Sequence, residues 1–376
     1  MPEPTLYTYQ HRRIHSVDLL RGAIMLLMAI DHVRVYAGIP AGGPDPAIFF
    51  TRWITHFCVS GFVFFAGTSA FLLGQKLNNR AALSKYLLTR GLLLVLLELT
   101  LIRFCWTFNL DFKSFMLAGV IWMLGWCMAL LAAAIWLPFR VIWISGLIII
   151  AGQQIFGWVP PNLHWWNFFY TVDYEGVQWI NILYVLLPWI GVMMAGYGFG
   201  RLLQMPPALV RRTCWWIGLS AIALFLVIGS LQLANEQKNE LPFIFRLLNQ
   251  QKYPPSQLFL LMTLGPVIAL VPYAEKARGW LAEVLSTFGK VPFFYYVLHI
   301  LVIHLAALLV NLIRTGNTHQ DWYQTAPYTH IAEDQQWPLP LLYIVFILVE
   351  IFLYWACRWY AAYKTSHPEK KWLKYL

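Results

Sequence analysis

The chain is expected to be an all-α, polytopic integral membrane protein of about ten transmembrane helices, with both termini in the cytoplasm. Three observations predict this. Of its 376 residues, 59% are hydrophobic and only 12% are charged, a balance outside the range of soluble domains. Apolar stretches longer than the roughly 20 residues needed to cross a bilayer core recur along the whole length. Lysine and arginine gather at the ends of these stretches on one side.

Taken in order, residues 1–15 form a polar N-terminal segment carrying His11, Arg12, Arg13 and His15. It lacks the apolar run and small-residue cleavage site of a signal peptide. A single membrane domain, 16–362, follows, with spans expected at 16–38, 52–75, 84–107, 114–137, 140–158, 182–203, 213–234, 256–274, 288–313 and 339–362. Residues 363–376 form a basic cytoplasmic tail with Lys364, Lys370, Lys371 and Lys374. On that same side fall Arg12 and Arg13, then Lys76, Arg80 and Lys85, then Arg201, Arg211 and Arg212, then Lys276 and Arg278. The opposite loops are poor in cations: 159–181 holds Asp173 and Glu175, and 314–338 holds Arg314. Lys238, Arg246 and Lys252 break this rule.

The net charge of +10 is accounted for by a polybasic cytoplasmic face against anionic lipid, and no nucleic-acid partner is implied. Five cysteines, Cys58, Cys105, Cys127, Cys214 and Cys357, lie in apolar segments without CxxC or CxxH spacing. They signal neither a disulfide framework nor a metal site. The aromatic run from Trp165 to Tyr170 fits an interfacial belt. No internal repeat is visible, which weighs against a secondary transporter.

Ionisable groups at membrane depth carry the functional signal, because each is costly there and faces a bundle interior or a cavity. The first span holds Asp18, Arg21, Asp31, His32 and Arg34. Arg21 and His32 stand about three helical turns, or roughly 16 Å, apart on one face, and Asp18 shares that face. Asp18 can pair with Arg21, whereas Arg34, near the outer end, is expected to snorkel. His56 in the second span reaches the level of His32, so Asp31, His32 and His56 form one expected polar cluster. The run from Gly61 to Ala70 offers small residues for close helix packing. In the third span, Glu98 lies between Arg90 and Arg103, a spacing that suits a salt-bridge ladder. His299 and His304 in the ninth span occupy different faces, and Glu350 in the tenth is a further partner.

An arginine suits a phosphate or an amide carbonyl, because it stays charged and offers a fork of donors. A histidine suits proton abstraction from a hydroxyl or amine, or attack on an acyl carbon. Their separation on one helix fits a long donor lying along the axis with its anionic end toward the cytoplasm, as acyl-coenzyme A would. A proton-coupled carrier or flippase could use the same residues as a relay.

The run from Arg13 to Gly22, followed by Met28-Ala29-Ile30-Asp31-His32, resembles the opening helix of the heparan-α-glucosaminide N-acetyltransferase-like family in its bacterial members. Gly61 to Ser69 resembles that family's second helix, and Leu187 to Gly198 and Gly289 to His299 resemble later segments. Arginine, ten residues and histidine in the first helix is similar to the pattern of the wider transmembrane acyltransferase superfamily, matched by Arg21 and His32. The resemblance implies transfer of an acyl group, acetyl above all, from cytoplasmic acetyl-CoA or another acyl-CoA to a hydroxyl or amine. A saccharide on the outer side of a bacterial inner membrane is the implied acceptor, with no metal. His32 is then the general base or acyl acceptor, oriented by Asp31 or His56, while Arg21 with Asp18 positions the donor. Arg90, Glu98 and His299 are further candidates. Two departures stand out: Ser60 replaces an expected proline, and the lysosomal type has asparagine in place of His32.

Overall fold

The computed structural model describes residues 14–42, 45–113, 115–159, 166, 168–170, 180–235 and 241–374. Arg12, Arg13, Trp165, Asp173, Glu175 and Lys238 lie outside them. The helices are α1 His15–Tyr36, α2 Pro46–Trp53, α3 Phe57–Leu77, α4 Arg80–Leu97, α5 Arg103–Thr107, α6 Val120–Ala134, α7 Phe139–Gly152, α8 Leu187–Leu202, α9 Pro207–Ala234, α10 Phe243–Leu248, α11 Gln257–Lys276, α12 Trp280–Lys290, α13 Pro292–Thr315 and α14 Leu339–Ser366. Two-residue strands β1 Leu117–Ala118 and β2 Asn181–Ile182 pair in parallel just before α6 and α8. The chain is thus all-α and membrane-embedded, with six helical stretches among the described residues long and apolar enough to cross a bilayer.

Those six are Pro46–Leu77, Phe139–Trp158, Pro207–Ala234, Gln257–Lys276, Pro292–Thr315 and Leu339–Ser366. The second expected span starts earlier than 52, because Asp45 accepts a hydrogen bond from the Ile48 amide at 2.9 Å and caps α2, with Pro46 at the first helical position. A short 3-10 turn, Ile54–His56, joins α2 to α3. Ser60 leaves α3 helical throughout. The ninth expected span, 288–313, straddles a break: α12 ends at Lys290 and α13 restarts at Pro292, whose ring forbids the amide bond that would continue a helix.

α1 is not among the six apolar stretches, since Asp18, Arg21, Asp31 and Arg34 interrupt it. It lies instead at the bundle centre, packed against α3, α11, α12, α13 and α14. Helices α7, α9 and α14 form the rim, with apolar side chains such as Leu224, Leu231, Ile347 and Leu348 exposed, as a lipid-facing surface requires.

Close helix approach depends on glycine. A Cβ built on Gly22 would lie 1.8 Å from the Leu285 carbonyl oxygen of α12, and one on Gly67 would lie 1.9 Å from the Met193 carbonyl oxygen of α8. Beside Gly67, the Thr68 hydroxyl donates to the Gly196 carbonyl at 3.0 Å. This is small-residue packing reinforced by an interhelical hydrogen bond. Gly67→Val should therefore separate α3 from α8 and destabilise the protein by about 1–3 kcal/mol, the range for overpacking. Thermal unfolding in detergent checks this; an unchanged midpoint would refute the contact.

Candidate active site

The polar face of α1 opens onto three cavities in series. The first, of about 730 Å³, is lined at one end of the bundle by Asp18, Arg21, Lys76, Arg211, Lys276 and Arg278. Arg21, Ser69 and Leu73 also line a second, apolar cavity of about 180 Å³. Phe62, Val120 and Tyr296 are in turn common to the second and to a third cavity of about 590 Å³, which contains Asp31, His32, His56 and Glu98. Both ends of the Arg21–His32 face are therefore served by cavities of their own.

Arg21 is oriented by α3, donating from Nη2 to Ser69 Oγ at 2.9 Å. Asp18 lines the same cavity. The start of α1 is fixed to the end of α11, where the Ser16 amide donates to Glu275 Oε2 at 2.7 Å. Arg90, on the wall of the middle cavity, donates to the Tyr86 hydroxyl at 2.7 Å.

His32 is paired with His299. Nδ1 of His32 lies 2.7 Å from Nε2 of His299, with the rings 19° from parallel, and Trp106 packs edge-on against His32 at 4.8 Å. Within α13, His299 Nδ1 is 3.1 Å from the Tyr295 carbonyl oxygen. A carbonyl only accepts, so Nδ1 of His299 carries the proton. In the neutral ring, Nε2 then accepts from His32 Nδ1–H, which leaves His32 Nε2 with a lone pair. That is the form a general base or nucleophile needs. The ring that meets His32 by hydrogen bond is thus His299, while Asp31 and His56 share its cavity.

Asp31 is otherwise engaged. Its Oδ1 accepts from Arg34 Nε at 2.9 Å, and Arg34 Nη1 donates to the Ile39 carbonyl at 2.5 Å. Arg34 is buried rather than snorkelling, because this pairing offsets the cost of its burial. His56 is buried in the same cavity, where its Nδ1 has no hydrogen-bond partner among the described residues. His304 serves the fold instead, its Nδ1 and Nε2 meeting the Cys105 carbonyl and Gln320 Oε1, each at 3.0 Å.

The expected ladder of Arg90, Glu98 and Arg103 does not form. A π-helical turn, Glu98–Ile102, shifts the register between α4 and α5, as such bulges do near functional sites. Glu98 is directed at the backbone amides of Gly119, Ile121 and Trp122 at the start of α6, while its buried Oε2 has no hydrogen-bond partner among the described residues. Arg103 donates to the carbonyls of Phe115, Asn109 and Asp111 at 2.5, 2.6 and 2.6 Å. Glu350 accepts from the Tyr295 hydroxyl at 2.6 Å, behind the histidine pair. Sequence reasoning missed Ser69, Trp106 and Tyr296 as site residues, and read Lys252 only as a misplaced charge. Lys252, in the loop before α11, lines the third cavity over the rings of Tyr253 and Tyr184. Burial opposes its charge, but Tyr253 and Asp31 outweigh this and hold its ammonium above the ordinary value.

The family model for heparan-alpha-glucosaminide N-acetyltransferase, catalytic, matches residues 13–236. The chain belongs to this family. Membership in the heparan-alpha-glucosaminide N-acetyltransferase family implies a membrane acetyltransferase. The matched segment carries Arg21, His32, His56, Arg90 and Glu98, whereas Lys252, His299 and Glu350 lie beyond it. No curated protein matches the chain. Among the described residues no group of histidine, cysteine and carboxylate side chains could hold a metal ion.

Nitrogen-15 NMR of histidine-labelled protein checks the tautomer argument. His32 should be protonated at Nδ1, and His299→Phe should remove that preference. A wild-type His32 protonated at Nε2 would contradict the geometry.

Proposed function

We propose that this protein transfers an acyl group, acetyl above all, from cytoplasmic acyl-CoA to a hydroxyl or amine of a saccharide reached from the outer side of a bacterial inner membrane. The observation that carries this reading is the series of three cavities along one face of α1, with a cationic end at Arg21 and a histidine end at His32. On this reading about ten helices cross the bilayer and both termini are cytoplasmic, which puts the Arg21 cavity on the donor side.

In this proposal the first cavity takes the nucleotide and phosphates of the donor. Arg21, Lys76, Arg211 and Arg278 supply charge-assisted hydrogen bonds, each contributing about 1.5–3 kcal/mol. Asp18 faces the same space. The apolar second cavity suits the pantetheine arm, held in one orientation past Arg90 and Tyr86. The thioester then reaches the third cavity, where the acceptor also binds.

His32 Nε2 abstracts the proton of the acceptor hydroxyl or amine as the acceptor oxygen or nitrogen attacks the acyl carbon. The carbon–sulfur bond breaks, and the proton passes to the departing thiolate, so no net proton is consumed. His299 keeps His32 in the tautomer that allows this and spreads the transient positive charge across the pair. Alternatively His32 Nε2 attacks the acyl carbon first and passes the group on; both routes need the same lone pair. No metal is required in either.

Purified protein incubated with labelled acetyl-CoA should show slow hydrolysis or acyl transfer. His32→Ala should abolish it while the protein remains folded and inserted, and Arg21→Ala should weaken acetyl-CoA binding by about tenfold to a hundredfold. A wild-type blank would favour a carrier or flippase. Full activity in His32→Ala, or unchanged donor affinity in Arg21→Ala, would remove the assigned roles.

A further inference from the structure

Glu350 is the only Asp, Glu, Lys or Arg between Leu339 and Cys357 in α14, and it faces the bundle rather than lipid. A carboxyl group is costly at such a depth and needs a reason to be there. Its Oε1 accepts from the Tyr295 hydroxyl at 2.6 Å, while its buried Oε2 has no hydrogen-bond partner among the described residues. No cation among the described residues pairs with it. Packing alone would be served by a leucine, as it is at Leu342 and Leu353 on the same buried face. The group that accounts for the carboxyl is therefore Tyr295.

Tyr295 begins a row of three near-parallel rings that ends at His32. Its ring centre lies 5.1 Å from that of His299 with the planes 17° apart, and His299 lies 4.8 Å from His32 at 19°. Trp106 closes the row edge-on at His32, and Phe288 of α12 packs at 5.0 Å against Tyr295. The Tyr295 hydroxyl also stands 3.1 Å from the Met25 carbonyl oxygen, two turns before His32 on α1. A hydroxyl has one proton to donate, and Glu350 is the nearer acceptor. The carboxyl thus fixes the far end of the row from a third helix. This matters because a single neutral hydrogen bond biases an orientation only about twofold to tenfold. Held by their 2.7 Å bond alone, the two imidazoles would leave the aligned geometry for an appreciable part of the time, which proton transfer does not tolerate.

We propose that Glu350 is a positioning residue for the histidine pair: by anchoring Tyr295 it holds His299 against His32 and so keeps His32 Nε2 unprotonated. This rests on the acyltransferase reading only for what that lone pair then does. Neither Glu350 nor Tyr295 lines any of the three cavities. The carboxyl acts through the rings and not on a ligand, in the way that supporting hydrogen bonds lock the rotamers of a functional group.

Nitrogen-15 NMR of the histidine-labelled, full-length protein in nanodiscs tests this, with calorimetry of coenzyme A binding beside it. Glu350→Leu and Tyr295→Phe should each cut the excess of the Nδ1-protonated form of His32 about threefold to tenfold, and the double variant should lose no more than either alone. Glu350→Gln should keep most of that excess, because its amide oxygen still accepts from Tyr295. Coenzyme A affinity should stay unchanged in all of them; a matching fall would mark a general distortion of the bundle and overturn the positioning role. Where Glu350→Leu fails to fold, Tyr295→Phe decides, since it keeps the ring and removes only the hydroxyl. An unchanged His32 tautomer in Tyr295→Phe, a loss in Glu350→Gln as large as in Glu350→Leu, or a further loss in the double variant also overturns the proposal. Because the tautomer is read without turnover, a protein that shows these shifts yet never consumes acetyl-CoA would refute acyl transfer and leave the role of Glu350 standing.

Discussion

Every charged or imidazole group on α1 must find its partners inside the protein, because the surrounding hydrocarbon offers none. This constraint organises the bundle. Asp18, Arg21, Asp31, His32 and Arg34 could not sit on a lipid-facing helix. α1 accordingly occupies the centre, and α9, whose charged residues Arg211 and Arg212 lie near its start, takes the rim. Each partner comes from a different element: Ser69 of α3 for Arg21, the Ile39 carbonyl for Arg34, and His299 of α13 for His32. The requirement to satisfy α1 thus draws together helices far apart in sequence.

The same constraint explains why cavities line α1. Polar groups that are only partly satisfied by protein leave room for a ligand's own polar atoms, and an elongated thioester has the matching distribution: charged at one end, amphipathic in the middle, reactive at the other. The glycine contacts between α1 and α12 and between α3 and α8 bring backbones close on either side of this path. The π-turn at Glu98 has a related effect, turning a carboxylate away from the arginines above and below it and toward the start of α6.

Much of this is legible in the sequence, and the exceptions have physical causes. Helical periodicity puts Arg21 and His32 on one face, and antiparallel packing brings His56 to the level of His32; the third cavity contains both histidines. Periodicity cannot choose between His299 and His304, since only the packing of α13 against α1 and α5 decides which ring meets His32. Asp31 looked like the partner of His32 because it is adjacent in sequence, yet adjacent helical residues point apart, and Arg34 three residues on lies within reach. The ladder of Arg90, Glu98 and Arg103 presumed an uninterrupted α-helix, and a single π-turn removes that premise. The break at Pro292 was written in the sequence, but the apolar run across it concealed the separate helix α12. Lys252 was visible only as a violation of charge topology.

The central claim is that the Arg21 cavity and the His32 cavity are two ends of one donor site. A structure of the protein with coenzyme A bound, in lipid nanodiscs, tests this most directly. The account predicts the phosphates among Arg21, Lys76, Arg211 and Arg278, the pantetheine passing Ser69 and Arg90, and the sulfur in the cavity of His32. Coenzyme A with its nucleotide in the His32 cavity, or with its sulfur directed away from it, would contradict the account.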